Sequence, residues 1–163
     1  MTDKRFPTAA DFLKLMRTYA VAAEVKYGIP WLLIATQAAH ESGWGKREIK
    51  NPDGSSSFNV FGIKATSSWT GKTTDVTTTE YIGGKARKLV AKFRAYESYE
   101  DAFKDYARMM KNSPRYAQAR AQTDSAQAYA SSLQRAGYAT DPDYADKLSR
   151  AINMTLQLQR AQA

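Results

Sequence analysis

Residues 31–45 read WLLIATQAAHESGWG, a segment that joins a strongly apolar helix to one acidic side chain. Apolar residues fill most positions from Trp31 to Ala39, which predicts a helix buried in the core. Pro30 suits the first turn of such a helix. Glu41 comes at its end, directly before glycines that open the chain into a loop. A carboxylate in this setting needs a physical explanation.

Burial provides one explanation for Glu41. An environment formed by Trp31 or Trp44 would disfavour the ionised carboxylate and raise its pKa. A carboxyl group with a raised pKa can donate a proton near neutral pH, which cleavage of a glycosidic bond requires. A second interpretation stays open at this point, because a glutamate at a helix end can also serve only to fasten the helix to backbone amides.

The flanking sequence predicts one helix before this segment, then a loop and a hairpin after it. Thr8 and Asp11 form a helix-start pattern, and Gly28 ends the amphipathic helix that follows. Residues 43–71 are rich in Gly, Ser and Asn, which is typical of long irregular loops with a functional role. Residues 73–96 contain two strand-like runs joined by a Gly-Gly pair, which predicts a two-stranded hairpin.

The second half of the chain is predicted to be helical. Ser98 and Asp101 mark one helix start, and shorter helical segments are expected over residues 115–120 and 126–136. Asp141 can cap a final helix. Together these patterns predict an α+β fold that is mostly α, with several helices and one β-hairpin.

Composition limits the classes of function. With 163 residues and 43% apolar residues, the chain is expected to form one compact domain over residues 1–163. The absence of cysteine excludes disulfides, a thiol nucleophile and thiolate metal sites. The 24 Lys and Arg against 16 Asp and Glu give a net charge of +8, which favours acidic polymers as partners. Because this charge is spread along the chain, we expect no nucleic-acid binding.

Targeting signals are not visible in the sequence. Residues 1–16 lack the unbroken apolar stretch of a signal peptide. The longest apolar run, residues 31–35, is too short to span a bilayer. We therefore expect no membrane insertion, and export by a route that uses no cleavable signal peptide.

Five separate motifs agree with one known family. In chain order they are AHESGWG at 39–45, FNVFGIK at 58–64, SWTG at 68–71, TTTEY at 77–81 and AGYATDP at 136–142. This series resembles glycoside hydrolase family 73, and most closely the hydrolase domain of flagellar rod-cap proteins. The resemblance covers about residues 12–156.

The resemblance implies both a fold and an activity. The fold is a lysozyme-like scaffold with a helical body and a small β-hairpin lobe, and the activity is hydrolysis of peptidoglycan glycan strands between N-acetylglucosamine and N-acetylmuramic acid. Glu41 matches the catalytic acid of the family, Glu80 matches its second carboxylate, and Tyr138 matches a tyrosine at the floor of the cleft. The implied place of action is the cell wall in the bacterial periplasm.

The position of Glu80 adds a local argument. If Gly83 and Gly84 form a two-residue turn, Glu80 lies directly opposite Arg87, and the cation would keep this carboxylate ionised. A protonated Glu41 and an ionised Glu80 are the pair that a glycosidase needs, and well-separated carboxyl groups favour inversion. A nucleophilic N-acetyl group of the substrate and a purely structural surface ion pair remain alternatives.

Further side chains are candidates for substrate contacts. Phe61, Trp69, Tyr81 and Tyr138 could stack on the apolar faces of sugar rings, and Asn59 could hydrogen-bond to acetamido groups. Core packing is the alternative for each of them.

His40 is the only histidine, so a zinc site with several histidines is excluded, as is a Ser-His nucleophile pair that does not use His40. We expect a partly buried helix residue whose place beside Glu41 could tune that carboxyl group. No metal and no cofactor are predicted.

Three classes of function follow: a hydrolase, a wall-binding module without catalysis, and a nucleic-acid-binding protein. The presence of both Glu41 and Glu80 favours the hydrolase. Its predicted setting is that of a delivered lytic enzyme, either a secreted antibacterial effector or a phage endolysin. An effector would need an immunity protein that occludes the cleft. An excised flagellar hydrolase domain is the alternative.

Overall fold

The computed structural model describes residues 5–162. In this range six α-helices form a helical body and two strands form a hairpin lobe: α1 (Ala9–Tyr27), α2 (Trp31–Ser42), β1 (Thr73–Ile82), β2 (Lys85–Arg94), α3 (Tyr99–Asn112), α4 (Ala117–Arg120), α5 (Ala126–Arg135) and α6 (Tyr144–Gln162). The predicted mostly helical α+β class with a lysozyme-like division into body and lobe is confirmed. The predicted domain limits, residues 1 and 163, and the first four residues of the segment searched for a signal peptide lie outside the described range.

The helix boundaries follow from capping interactions. Thr8 and Asp11 form the predicted capping box at the start of α1, and Gly28 ends this helix with a φ of 79°. Glu24 accepts a hydrogen bond of 2.6 Å from the Trp31 backbone N–H at the start of α2, where Pro30 provides no side-chain cap. Gly43 ends α2 in the left-handed conformation, two residues after Glu41.

Helix α2 lies at the centre of the helical body and packs against α1 and α6. Its residues Ile34, Ala35, Ala38 and Ala39 are fully buried. This confirms the prediction of a core helix, and it means that the backbone carrying Glu41 is held on several sides by close packing.

The hairpin lobe has the predicted register. β1 and β2 pair in antiparallel fashion with Glu80 opposite Arg87, and both turn glycines, Gly83 and Gly84, have positive φ, as a type I′ turn requires. A backbone bridge between Lys64 and Phe93 joins β2 to the loop that connects α2 with β1. Among the helices of residues 5–162, none combines the length and apolar character needed to cross a membrane.

Candidate active site

A cleft of about 590 Å³ separates the helical body from the hairpin lobe. Glu41 and Tyr138 line it from the body, and residues 76–81 line it from the lobe, including Glu80. The structure therefore brings both carboxylates that were predicted from the sequence to the same cavity. Its volume is typical of sites for small molecules or for a few sugar units.

Glu41 is held at the end of α2 against the core. Burial is the largest influence on this carboxyl group and raises its pKa from 4.5 to about 7, although a hydrogen bond from Tyr144 and the charge of Arg47 act in the opposite direction. The Tyr144 hydroxyl donates to Glu41 Oε1 at 3.0 Å. A carboxyl group with this pKa holds a proton in a large fraction of molecules at neutral pH and can act as an acid.

Glu80 has the opposite environment. Burial opposes its ionisation, but hydrogen bonds from Lys64 and Thr140 together with the charge of Lys64 lower its pKa. Lys64 Nζ lies 2.6 Å from Oε1, and the Thr140 hydroxyl donates to Oε2 at 2.7 Å. Glu80 is therefore ionised at neutral pH, as predicted, but its cationic partner is Lys64 rather than Arg87.

The two carboxylates thus differ in protonation state, which is the arrangement that acid–base cleavage of a glycosidic bond uses. Residues 17–157 match the family model described as mannosyl-glycoprotein endo-β-N-acetylglucosaminidase. The chain belongs to the glucosaminidase family. The resemblance predicted from the five motifs is confirmed.

Individual members of the glucosaminidase family agree with this assignment. Peptidoglycan hydrolase FlgJ of Salmonella typhimurium is 50% identical over 142 residues, a match that covers 87% of this chain and 45% of that protein. A crystal structure of a peptidoglycan hydrolase mutant from Sphingomonas sp. A1 is 47% identical with a TM-score of 0.86, covering 93% of this chain and 99% of that chain. The C-terminally truncated glycoside hydrolase domain of Salmonella FlgJ is 45% identical with a TM-score of 0.73, covering 92% and 99%. The chain thus spans about half the length of the curated relative.

Tyr138 and Tyr81 line the cleft of this glucosaminidase-family chain. The Tyr138 hydroxyl donates to the Phe61 carbonyl at 2.7 Å, and its ring stacks 6.0 Å from that of Tyr144. The Tyr81 backbone N–H donates to the Thr140 hydroxyl at 2.9 Å. Both residues are placed where substrate contacts are possible, and their contact with sugars stays a prediction.

Phe61 and Asn59 require a correction. Phe61 is 0% exposed, and its ring stacks on Tyr106 at 4.1 Å. The Asn59 amide nitrogen donates to the Ile63 and Arg94 carbonyls, both at 2.8 Å, and its oxygen accepts from the Ile63 N–H. The Phe61 ring is packed in the core, and the Asn59 amide is hydrogen-bonded to backbone groups. The prediction that these two side chains contact sugars is therefore wrong. Each instead fixes the loop that forms part of the cleft wall.

Trp69 packs beside the cleft rather than along it. Its ring lies 4.9 Å from the guanidinium carbon of Arg94 and 5.5 Å from the Tyr96 ring. The indole N–H donates to the Lys72 carbonyl at 2.9 Å. These contacts favour a structural role in the loop before β1, and a contact between Trp69 and sugar remains a prediction.

His40 contacts the tyrosine that bonds to Glu41. Its ring lies 5.4 Å from the ring of Tyr144 in an edge-to-face arrangement. Burial, together with the positive charges of Lys147 and Arg47, lowers the pKa of His40, so the imidazole is neutral at pH 7. Within residues 5–162 no cluster of three or more His, Asp or Glu side chains is arranged to hold a metal ion.

Three residues of the site were missed by sequence reasoning: Tyr144, Thr140 and Gln37. Gln37 had a signal, because it is a polar residue in an apolar helix, four residues before Glu41 and on the same face. Thr140 lies within a motif that was noted for its tyrosine. Tyr144 is distant in sequence, and no periodicity connects it to Glu41.

Proposed function

We propose that this chain hydrolyses the glycan strand of bacterial peptidoglycan between N-acetylglucosamine and N-acetylmuramic acid, with Glu41 as the general acid. The observation that carries the proposal is the partly buried Glu41, with its pKa raised to about 7, in the same cleft as an ionised Glu80. The peptidoglycan hydrolase name of the Salmonella relative supports the choice of substrate. We take residues 1–163 as one hydrolase domain.

The proposed reaction uses each carboxyl group in the state that its environment favours. Protonated Glu41 donates to the oxygen of the scissile glycosidic bond, which makes that oxygen a better leaving group. Glu80 is negatively charged, so it either activates the attacking water or orients the substrate's N-acetyl group. Tyr138 and Tyr81 pack against the sugar rings, and no cofactor takes part.

Mass spectrometry of the fragments released from purified sacculi tests this proposal. After borohydride reduction, the expected products end in reduced N-acetylglucosamine. Products that end in reduced N-acetylmuramic acid would assign the enzyme to the other linkage. Intact glycan strands, with or without cut peptides, would refute the glycosidase activity and favour a wall-binding module.

Two settings are candidates for this activity. The first is that of a delivered lytic enzyme, an antibacterial effector or a phage endolysin, which acts on the cell wall in the periplasm. For the effector, an immunity protein that fills the cleft is the expected partner. The second is that of a flagellar hydrolase domain, and the 50% identity to FlgJ favours it. A deletion of the gene that stops motility supports the second setting, and one that only abolishes killing of neighbouring cells supports the effector.

A further inference from the structure

A chain of buried hydrogen bonds leads from the core to Glu41. The hydroxyl oxygens of Tyr129 and Tyr106 lie 3.3 Å apart, and Tyr106 donates to the side-chain oxygen of Gln37. The Gln37 amide nitrogen donates to the Tyr144 hydroxyl at 3.1 Å, and Tyr144 donates to Glu41 Oε1 at 3.0 Å. The glutamine and all three tyrosines are at most 2% exposed, so water does not compete for these bonds.

The chemistry of the Gln37 amide gives this series of hydrogen bonds a direction. An amide oxygen only accepts hydrogen bonds and an amide nitrogen only donates them. Because Tyr106 donates to the amide oxygen, the amide nitrogen is directed at Tyr144. The Tyr144 oxygen is therefore an acceptor toward Gln37, and its single proton is directed to Glu41. Burial raises the pKa of Tyr144 well above its ordinary value, so this proton is not lost at neutral pH.

The two oxygens of Glu41 consequently have different roles. Oε1 accepts the proton of Tyr144 and is kept as an acceptor. Oε2 lies on the side of Gly62, where a Cβ atom added to that glycine would come within 3.5 Å of it. Gly62 lines the cleft, and its lack of a side chain leaves Oε2 accessible to a substrate.

We propose that Gln37 is a positioning residue that sets the direction of the Tyr144–Glu41 hydrogen bond, so that the transferable proton of Glu41 resides on Oε2, the oxygen that faces the cleft. This inference rests on the proposed glycosidase function and specifies how its acid is prepared. Without the amide donor, the Tyr144 hydroxyl can turn away, and the proton of Glu41 can then occupy Oε1, where it cannot reach a substrate.

The proton and electron balance of the step is complete. The Oε2 proton moves to the glycosidic oxygen, and the bond from that oxygen to the sugar C1 breaks with its electron pair on the oxygen. On the water-activating route, water supplies hydroxide to C1 and leaves its proton on Glu80, and proton exchange with solvent afterwards restores both carboxyl groups. Tyr144 then donates to Oε1 of the new Glu41 carboxylate, which stabilises the negative charge formed in the step.

Titration of the ¹³C-labelled glutamate carboxyl groups by NMR tests this inference without a substrate. The Glu41 signal is assigned by its absence in Glu41→Gln. For Gln37→Met, which keeps the side-chain length but removes the donor, we expect the Glu41 pKa to rise above about 7, by roughly half to one pH unit. Tyr144→Phe should raise it at least as much. The alkaline limb of the activity profile should move in parallel, with kcat reduced about tenfold and KM little changed.

Tyr129→Phe is the matched control. It removes the hydroxyl that lies farthest from Glu41 in the series of hydrogen bonds, so the Glu41 titration should stay near that of the wild type. If Gln37→Met does not fold, Tyr106→Phe replaces it, since loss of that donor frees the Gln37 amide to turn and should raise the Glu41 pKa in the same way. A folded Gln37→Met or Tyr106→Phe protein with an unchanged Glu41 pKa overturns the inference. Shifted pKa values in a protein that leaves sacculi intact would instead refute the proposed function alone.

Discussion

The two walls of the cleft hold the same type of side chain in opposite states. On the body side, Glu41 ends a helix within the core, and burial raises its pKa to about 7. On the lobe side, burial of Glu80 is outweighed by the hydrogen bonds and charge of its neighbours Lys64 and Thr140, and its pKa is lowered. At a pH between the pKa of Glu80 and the pKa of Glu41, the body wall presents an acid and the lobe wall presents a base.

This difference shows that the fold, rather than the residue type, assigns the roles. A glutamate at the end of a core helix loses water on most sides, which disfavours the charged form. A glutamate on a two-stranded sheet keeps contact with water and can gather donors from the loops that pack on the lobe. The following variants test the two walls separately, in order of decreasing expected effect.

The largest effect is expected for Glu41→Gln. The amide retains the size of the side chain but cannot donate the proton, so the rate of sacculus hydrolysis should fall by about 10²–10⁴-fold. Glu97→Gln, a change at an exposed glutamate, is the matched control and should be fully active. Near-normal activity of a folded Glu41→Gln protein would remove Glu41 from the mechanism.

The same variant should be more stable than the wild type at alkaline pH. The folded-state pKa of Glu41 lies above its unfolded value of 4.5, so its favourable contribution is complete below pH 4.5 and is lost as the pH rises to about 7. Glu41→Gln has no charge to bury. Thermal melts at about pH 8 should therefore show a free energy of unfolding higher than that of the wild type by at most about 3 kcal/mol. At about pH 4 the two proteins should melt alike, and a gain that is equal at both pH values would contradict a raised pKa.

Glu80→Gln tests the lobe wall. If Glu80 activates water, most activity is lost, by about 10²-fold or more, because an amide is a poor base. Melting temperature should change little, since the Lys64 partner is 49% exposed and an ion pair screened by water in this way is worth no more than about 1 kcal/mol. Arg87→Ala serves as control, because the ion pair of Glu80 goes to Lys64. An active Glu80→Gln protein would leave Glu41 as the only carboxylate in the mechanism.

A smaller effect is expected for Lys64→Met. Loss of this cation removes one cause of the lowered Glu80 pKa, so the acidic limb of the activity profile should move to higher pH. Rates near pH 5 should fall several-fold, while those near pH 7 change little. The measurement is the initial rate of the variant relative to the wild type at each of these two pH values. An equal loss of rate at both would mean that Lys64 acts on substrate binding instead.

The smallest effect is expected for Thr140→Val. This change removes the donor to Glu80 and the acceptor for the Tyr81 N–H while preserving the shape of the side chain. Loss of such a hydrogen bond should lower kcat/KM roughly fivefold. Thr140→Ser keeps the hydroxyl and should stay near the wild-type rate. Equal activity of the Val and Ser variants would show that the Thr140 hydroxyl does not position Glu80.

The elements that obey a regular period were predictable. Helix α2 was recognised from its apolar pattern, and the Gly-Gly turn alone fixed the register that places Glu80 opposite Arg87. The ion pair was not predictable, because Lys64 lies in the long loop whose path no periodicity determines. The same loop explains the error at Phe61, since its position in a predicted loop favoured exposure but its ring fills the core beside Tyr106.

The environment of Glu41 was predictable only in part. Its place at the end of an apolar helix correctly indicated burial and a raised pKa. The hydrogen bond from Tyr144 joins residues 103 positions apart, and such a contact depends on how α6 packs against α2. The donor therefore emerged only from the tertiary structure.

The pH dependence of kcat/KM on purified sacculi, from about pH 4 to about pH 9, tests the central claim most directly. If Glu41 is the acid, activity falls as the pH rises through about 7. If Glu80 is the ionised partner, activity also falls at the acidic end, and Lys64→Met moves that limb alone. Activity that instead increases through pH 7 and beyond would mean that Glu41 works in its ionised form, and it would contradict the assignment of acid and base to the two walls.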